Sequence, residues 1–129
     1  MQTFKKKERL TEKKIIQNLF EKGNEFFISP FRVIWNCLPS DKSFTVKILI
    51  AVSGKNFKKA VDRNRIRRLV RESYRKNKYI LYNAFPGRNE NFIFILNYTG
   101  KTILTYKEIE AKIILILQRL TKEYEALTR

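Results

Sequence analysis

Lys58-Lys-Ala-Val-Asp-Arg-Asn-Arg-Ile-Arg-Arg-Leu-Val-Arg-Glu-Ser-Tyr-Arg-Lys76 has two sides with opposite needs. At ~100° per residue, Asn64, Arg67, Arg68, Arg71 and Arg75 fall within an arc of about 100°. Ile66, Leu69, Val70, Ser73 and Tyr74 occupy roughly the other side. The stretch therefore reads as a helix from Lys58 to Lys76, entered near Asn56-Phe57, that packs its apolar stripe on another layer. Its outer stripe carries guanidinium groups, whose planar forks bind phosphate oxygens in pairs and stack on bases. Nine Lys and Arg stand here against Asp62 and Glu72 alone. A merely solvated helix usually mixes signs at i+4, and this one has few acidic partners at that spacing.

The flanking sequence supplies the other layer. Thr11 is a candidate cap for a first helix in which Ile15, Ile16, Leu19 and Phe20 recur at helical spacing, with Gly23 as its stop. Phe26–Ile28, Phe31–Leu38 and Phe44–Ser53 read as strands rich in β-branched and aromatic residues. The Pro39-Ser40-Asp41-Lys42 turn predicts a hairpin between the last two. Tyr79 to Asn91, with Pro86-Gly87, reads as a connection. Phe92–Asn97 is apolar at every position up to Leu96, the mark of a central strand covered on both faces. Thr105-x-x-Glu108 resembles a capping box opening a last helix to about Leu127. The order αβββαβα predicts a single α+β domain over residues 1–129, a sandwich of helices on one antiparallel or mixed sheet.

The formal net charge is +16, from 28 Lys and Arg against 12 Asp and Glu, with 43% hydrophobic residues. Such an excess repels itself in a compact chain, so a polyanionic partner is expected, nucleic acid ahead of an anionic membrane. Lys5, Lys6, Lys7 and Arg9 form a basic arm ahead of the first element. There is no His and only one cysteine, Cys37, which excludes an internal disulfide, a zinc site, and Ser-His or Cys-His nucleophilic chemistry. Met1–Leu10 lacks the apolar run of a signal peptide, and apolar runs such as Phe92–Leu96 and Ile113–Leu117 are too short to span a bilayer. A cytoplasmic protein without a membrane is the expectation.

Val52-Ser-Gly-Lys-Asn-Phe-Lys-Lys-Ala-Val-Asp-Arg-Asn-Arg-Ile-Arg-Arg-Leu-Val-Arg-Glu-Ser-Tyr-Arg75 resembles the signature of the bacterial ribonuclease P protein component. Arg63-Asn64-Arg65, followed by Arg67-Arg68 and Arg71, matches that family's "RNR" motif. The resemblance extends to the Lys/Arg-Leu start, the first helix ending in Phe20 and Gly23, and the strand–helix–strand–helix order. It implies a two-layer fold like domain 2 of ribosomal protein S5, with a left-handed crossover through the basic helix. Chain-handedness rules alone give a right-handed one.

The resemblance further implies a protein subunit that binds a catalytic RNA and the single-stranded 5′ leader of precursor tRNA. Arg63, Asn64, Arg65, Arg67, Arg68 and Arg71 take the RNA-contact role, with Lys55, Lys58 and Lys59 matching basic positions just before them. Arg75 extends the same face. Phe20 matches an aromatic of the leader cleft, where a ring stacks on unpaired bases. Ile16 sits where some members carry another aromatic, and either Ile34 or Trp35 supplies the cleft's strand residue. Gly54 departs from a usual Lys. On burial statistics alone, Ile16, Phe20, Ile34 and Trp35 read as core, and Cys37 as a small buried hydrophobe.

The implied reaction is removal of the tRNA leader by water at a phosphodiester, with Mg2+ held on the partner RNA and no catalytic or metal-binding residue in the protein. No obligate protein partner is expected. A ribosomal or ribosome-assembly RNA-binding protein is the alternative that composition alone leaves open, and a protein-only nuclease would need an acidic cluster that the sequence lacks.

Overall fold

A computed structural model describes residues 8–39, 45–84 and 90–128. The Lys5–Lys7 arm, most of the Pro39–Lys42 turn, Phe44 and Pro86-Gly87 lie outside the described residues. The elements are α1 (Lys13–Lys22), β1 (Asn24–Ile28), β2 (Phe31–Pro39), β3 (Thr45–Val52), α2 (Ala60–Asn77), α3 (Tyr79–Ala84), β4 (Glu90–Tyr98) and α4 (Tyr106–Thr128). The expected order is thus found with one addition, since the connection after α2 carries the short helix α3.

The four strands form one mixed sheet in the order β1-β2-β4-β3. β4 lies antiparallel to β2 and parallel to β3. The predicted β2–β3 hairpin is therefore replaced by two other pairings: β1 and β2 form the tight hairpin, and β4 inserts between β2 and β3. The reason is burial. Phe92 to Leu96 are all at most 3% exposed, and only a central position covers both sides of such a strand. Because β3 and β4 run in parallel, the chain must cross over between them, and α2 with α3 is that crossover.

Alternation along the strands divides the core in two. Phe31, Val33 and Trp35 of β2, Val46 and Ile48 of β3, and Phe92, Phe94 and Leu96 of β4 meet Ile66, Val70 and Tyr74 of α2 and the Ile109–Tyr124 stripe of α4. Trp35 stacks on Phe92 with centroids 5.4 Å apart, and its indole Nε1 donates to Glu123 Oε1 at 2.9 Å. On the other face Ile34, Ile93 and Ile95 pack with Leu10 and Leu19. This second, smaller core is the one that α1 covers. Cys37 is half-buried beside the larger core, where burial and then the Glu90 carboxylate push its thiol up to about 12. A thiol so placed stays protonated at neutral pH and is inert.

The helix ends show why the chain changes direction where it does. α4 opens with the expected box: Glu108 N–H donates to Thr105 Oγ1 at 3.2 Å, and Thr105 N–H to Glu108 Oε1 at 3.1 Å. At α1 the cap is Glu12 rather than Thr11, with no side-chain cap bond. The Glu12 carboxylate instead accepts from Lys47 Nζ at 3.1 Å, tying the start of α1 to β3. Gly23 does stop α1, but its φ of −72° is available to any residue. A Cβ there would lie 2.6 Å from Leu19 O and 2.7 Å from Ile34 Cγ2, so glycine is needed for close approach to the sheet. Gly23→Ala should cost about 1–3 kcal/mol of stability by overpacking. A shift of the denaturation midpoint to lower denaturant, with the m-value unchanged, is the measurement that checks it.

Candidate nucleic-acid interface

The basic stripe of α2 faces outward as the wheel predicts. Ile66, Val70, Ser73 and Tyr74 are fully buried, while Asn64, Arg65 and Arg68 are exposed and Arg67 and Arg71 half-buried. Among the described residues no carboxylate pairs with Arg65 or Arg68. Arg67 Nη1 donates to Asn64 Oδ1 at 3.1 Å, one turn apart. That bond fixes the amide so that its NH2 group is left to donate to an acceptor outside the helix.

Four residues of the predicted set take other work. Arg63 Nη1 donates to the carbonyls of Phe57 and Lys58, each at 2.8 Å, and so clamps the approach to the helix. Arg75 is held by Glu72, with Nη2 to Oε1 at 2.6 Å, and the carboxyl is kept below its usual range by that guanidinium. Ile34 lies on the α1 face, but at 1% exposure beneath Leu19 and Gly23 it is part of the smaller core and offers no open surface. The strand register settles the alternative to it. Trp35 points to the opposite face, into the α4 core, and is removed from the cleft.

Lys58 and Lys59 precede α2, which starts at Ala60, instead of forming its first turn. With Lys55 they are exposed on a loop pinned from within. Phe57 is buried, its N–H donates to Ser53 O, and Asn56 Nδ2 donates to Thr99 O at 3.0 Å. Gly54 meets nothing within 4 Å of a built Cβ, so no packing demands the glycine there.

Two further features complete the surface. Arg9 joins Arg67, Arg71 and Thr11 around a cavity of about 180 Å³ floored by Leu10 and β3's Ile48–Ile50. The segment Glu8–Leu10 is held along the open edge of β3 by an Arg9–Ile48 bridge and by Leu10 N–H donating to Ile48 O at 2.9 Å. It is latched by Glu8, 5% exposed, whose carboxylate accepts from Lys78 Nζ at 2.9 and 3.1 Å and from Tyr82 Oη at 3.0 Å. That Glu8 seats the Glu8–Leu10 segment is not visible in the sequence, because its partners lie about seventy positions away.

On the α1 face, Ile16 is half-buried against the smaller core. Phe20 is 44% exposed, and the Arg32 guanidinium carbon lies 5.8 Å from its ring centroid. Phe20 is thus partly open to solvent, as stacking on a base requires. Among the described residues no group of three His, Cys, Asp or Glu side chains is placed to hold a metal ion. Nor is any described helix long and apolar enough to cross a membrane.

The model of the Ribonuclease P family matches residues 4–121. The ribonuclease P protein component of Petrotoga mobilis is 36% identical over 125 residues, covering 92% of this chain and 96% of that protein. That of Porphyromonas gingivalis is 37% identical over 83 residues, 64% of this chain. The match spans 61% of the length of that relative. The RNase P proteins of Staphylococcus aureus and Thermotoga maritima superpose with a TM-score of 0.63 each at 22% identity. They cover 88% and 87% of this chain, and 94% and 96% of theirs. At that identity they establish the fold, an α+β sandwich on a four-stranded sheet.

Lys78→Met would leave the Glu8 carboxylate buried without its cation. The expected loss is about 3–5 kcal/mol of unfolding free energy, read by denaturant titration, with Glu8→Gln/Lys78→Met recovering part of it.

Proposed function

The chain belongs to the Ribonuclease P family, and we propose that it serves as the protein subunit of that ribonucleoprotein, holding RNA while RNA performs the cleavage. The observation that carries this reading is the outward stripe of α2, where Asn64, Arg67, Arg68 and Arg71 repeat along one side, Arg65 is exposed at its flank, and Arg67 and Arg71 meet Arg9 around one cavity. Guanidinium groups spaced along a helix match a phosphate backbone, and counterion release supplies the affinity. Lys55, Lys58 and Lys59 extend the contact ahead of the helix. Arg63 acts by holding that approach in place, and Arg75, already paired, contributes least.

The second surface is the α1 face. Phe20 stacks on an unpaired base of the 5′ leader of precursor tRNA, with Ile16 giving apolar contact beside it. Because only the precursor carries a leader, this contact favours substrate over product. In this scheme magnesium would be held by the RNA and would supply an activated water there. The protein lowers the repulsion between two polyanions and positions the substrate. Its expected place is the cytoplasm.

Adding the protein to the matching catalytic RNA and a precursor tRNA at low magnesium should restore cleavage. Absence of rescue, or cleavage by protein without RNA, overturns the reading. The first of these outcomes would favour a role in structural rRNA binding.

For the interface itself, Arg68→Ala should weaken binding to the catalytic RNA. It should also flatten the dependence of log Kd on log salt by about 0.7–0.9 for each phosphate that Arg68 neutralises. An unaltered slope would place Arg68 in solvent.

A further inference from the structure

β1 is an edge strand, and its Phe27 is 58% exposed. A single exposed aromatic is ordinary. Its neighbours are not. The antiparallel register pairs Phe27 with Arg32, so both side chains rise from the same face of the sheet, the face that carries α1. Arg32 in turn leans toward the Phe20 ring at 5.8 Å. Glu25, on the same face of β1, grips the guanidinium by two bonds, Nε to Oε1 at 2.7 Å and Nη2 to Oε2 at 3.1 Å. A fork engaged in this way has little left for a phosphate, and its charge is largely balanced. What it still presents is a flat surface held in place.

Phe20, Arg32 and Phe27 therefore make a row of planar groups running from α1 to the edge of the sheet. Locally neutral, the row sits in a chain of net charge +16. That is the pairing that single-stranded nucleic acid uses: cations along the backbone, and rings or guanidinium planes under the bases. An apolar protein partner would want a deeper and less charged surface.

We propose that Phe27 and the Glu25-held Arg32 form a second stacking position for an unpaired RNA base, next beyond Phe20 toward the β1 edge. The proposal rests on the leader-binding reading above and extends it. It makes recognition depend on leader length, since a leader reaching only Phe20 leaves the second position empty.

The test uses the protein assembled with its catalytic RNA and precursor tRNAs whose leaders lengthen one nucleotide at a time. Wild type should gain affinity in two steps. Phe27→Ala should abolish the second step, on the order of a tenfold loss for long leaders, and leave short leaders and mature tRNA unchanged. Phe27→Trp should keep the second step, while Arg32→Lys should reduce it despite equal charge. A Phe27→Ala profile matching wild type at every length overturns the proposal, as does an equal loss on mature tRNA.

A second arm separates this from failure of the leader reading. The protein alone is titrated with single-stranded RNA oligonucleotides carrying a fluorescent base analogue. Quenching that Phe27→Ala removes supports the stacking position even without rescue of cleavage, and unchanged quenching overturns it. Thermal unfolding of Phe27→Ala should match wild type, because an exposed ring holds no core together.

Discussion

The insertion of β4 between β2 and β3 is the constraint on which the other features depend. A strand apolar at every position from Phe92 to Leu96 has no polar side to offer water, so it must be covered twice and flanked twice. Its parallel pairing with β3 then rules out a tight turn between them and demands a crossover with a helix. That helix is α2. The basic surface is consequently carried by the element that topology places against the centre of the sheet, with Ile66, Val70 and Tyr74 as its anchor. Crowding cations on one face disfavours the folded chain by self-repulsion, and Glu72 relieves it at Arg75 and Lys76. A deep apolar anchor on the opposite stripe lets the helix keep the rest of that charge outward.

The same constraint leaves β3 at the edge of the sheet, with its outer backbone groups in need of cover. Residues Glu8–Leu10 provide it, bonding along Ile48 and burying Leu10 in the smaller core. A short segment bonded at one strand would fray. The buried Glu8–Lys78 pair, completed by Tyr82, holds its free end against the end of α2. Desolvating that carboxylate is compensated by three hydrogen bonds, the condition under which a buried ion pair is tolerable. The result reaches past stability, because Arg9 is carried into line with Arg67 and Arg71.

How much of this the sequence discloses depends on the range of each cause. The helix around Asn64, the Thr105–Glu108 box and the central position of Phe92–Leu96 are written in local periodicity, and the structure agrees with each. Strand neighbours are another matter. A period of two says which face a side chain takes, never which strand lies beside it, so a β2–β3 hairpin is a fair local reading that β4 overrides. Phe31–Leu38 is apolar on both parities from Val33 to Trp35, and Ile34 and Trp35 cannot be told apart until the pairing with Phe94 and Ile95 is fixed. α3 has six residues and no cap signal. Gly23 is legible as a stop, but its cause is the Ile34 methyl across the layer. Of the candidate surface residues, those repeating along one helix are legible, whereas Phe27 and Arg32 are brought together only through cross-strand register.

The unequal lengths of the covering helices explain why the two sheet faces differ in use. α4 has 23 residues and α1 has 10, which at 1.5 Å per residue give about 35 Å and about 15 Å. The longer helix, beside α2, seals its face, and Phe92, Phe94, Leu96 and Tyr98 of β4 are buried beneath the two helices. The shorter one covers Ile34, Ile93 and Ile95 and then ends at Gly23, where the chain turns directly into β1. What lies beyond its reach on β1 and β2 is Glu25, Phe27 and Arg32, all of them at least partly open to solvent. Closing that face would take another turn or two of helix, and the close approach required at Gly23 forbids it. The open strip is thus a consequence of how α1 docks. Its planar groups lie where a flexible strand bound along Phe20 would continue.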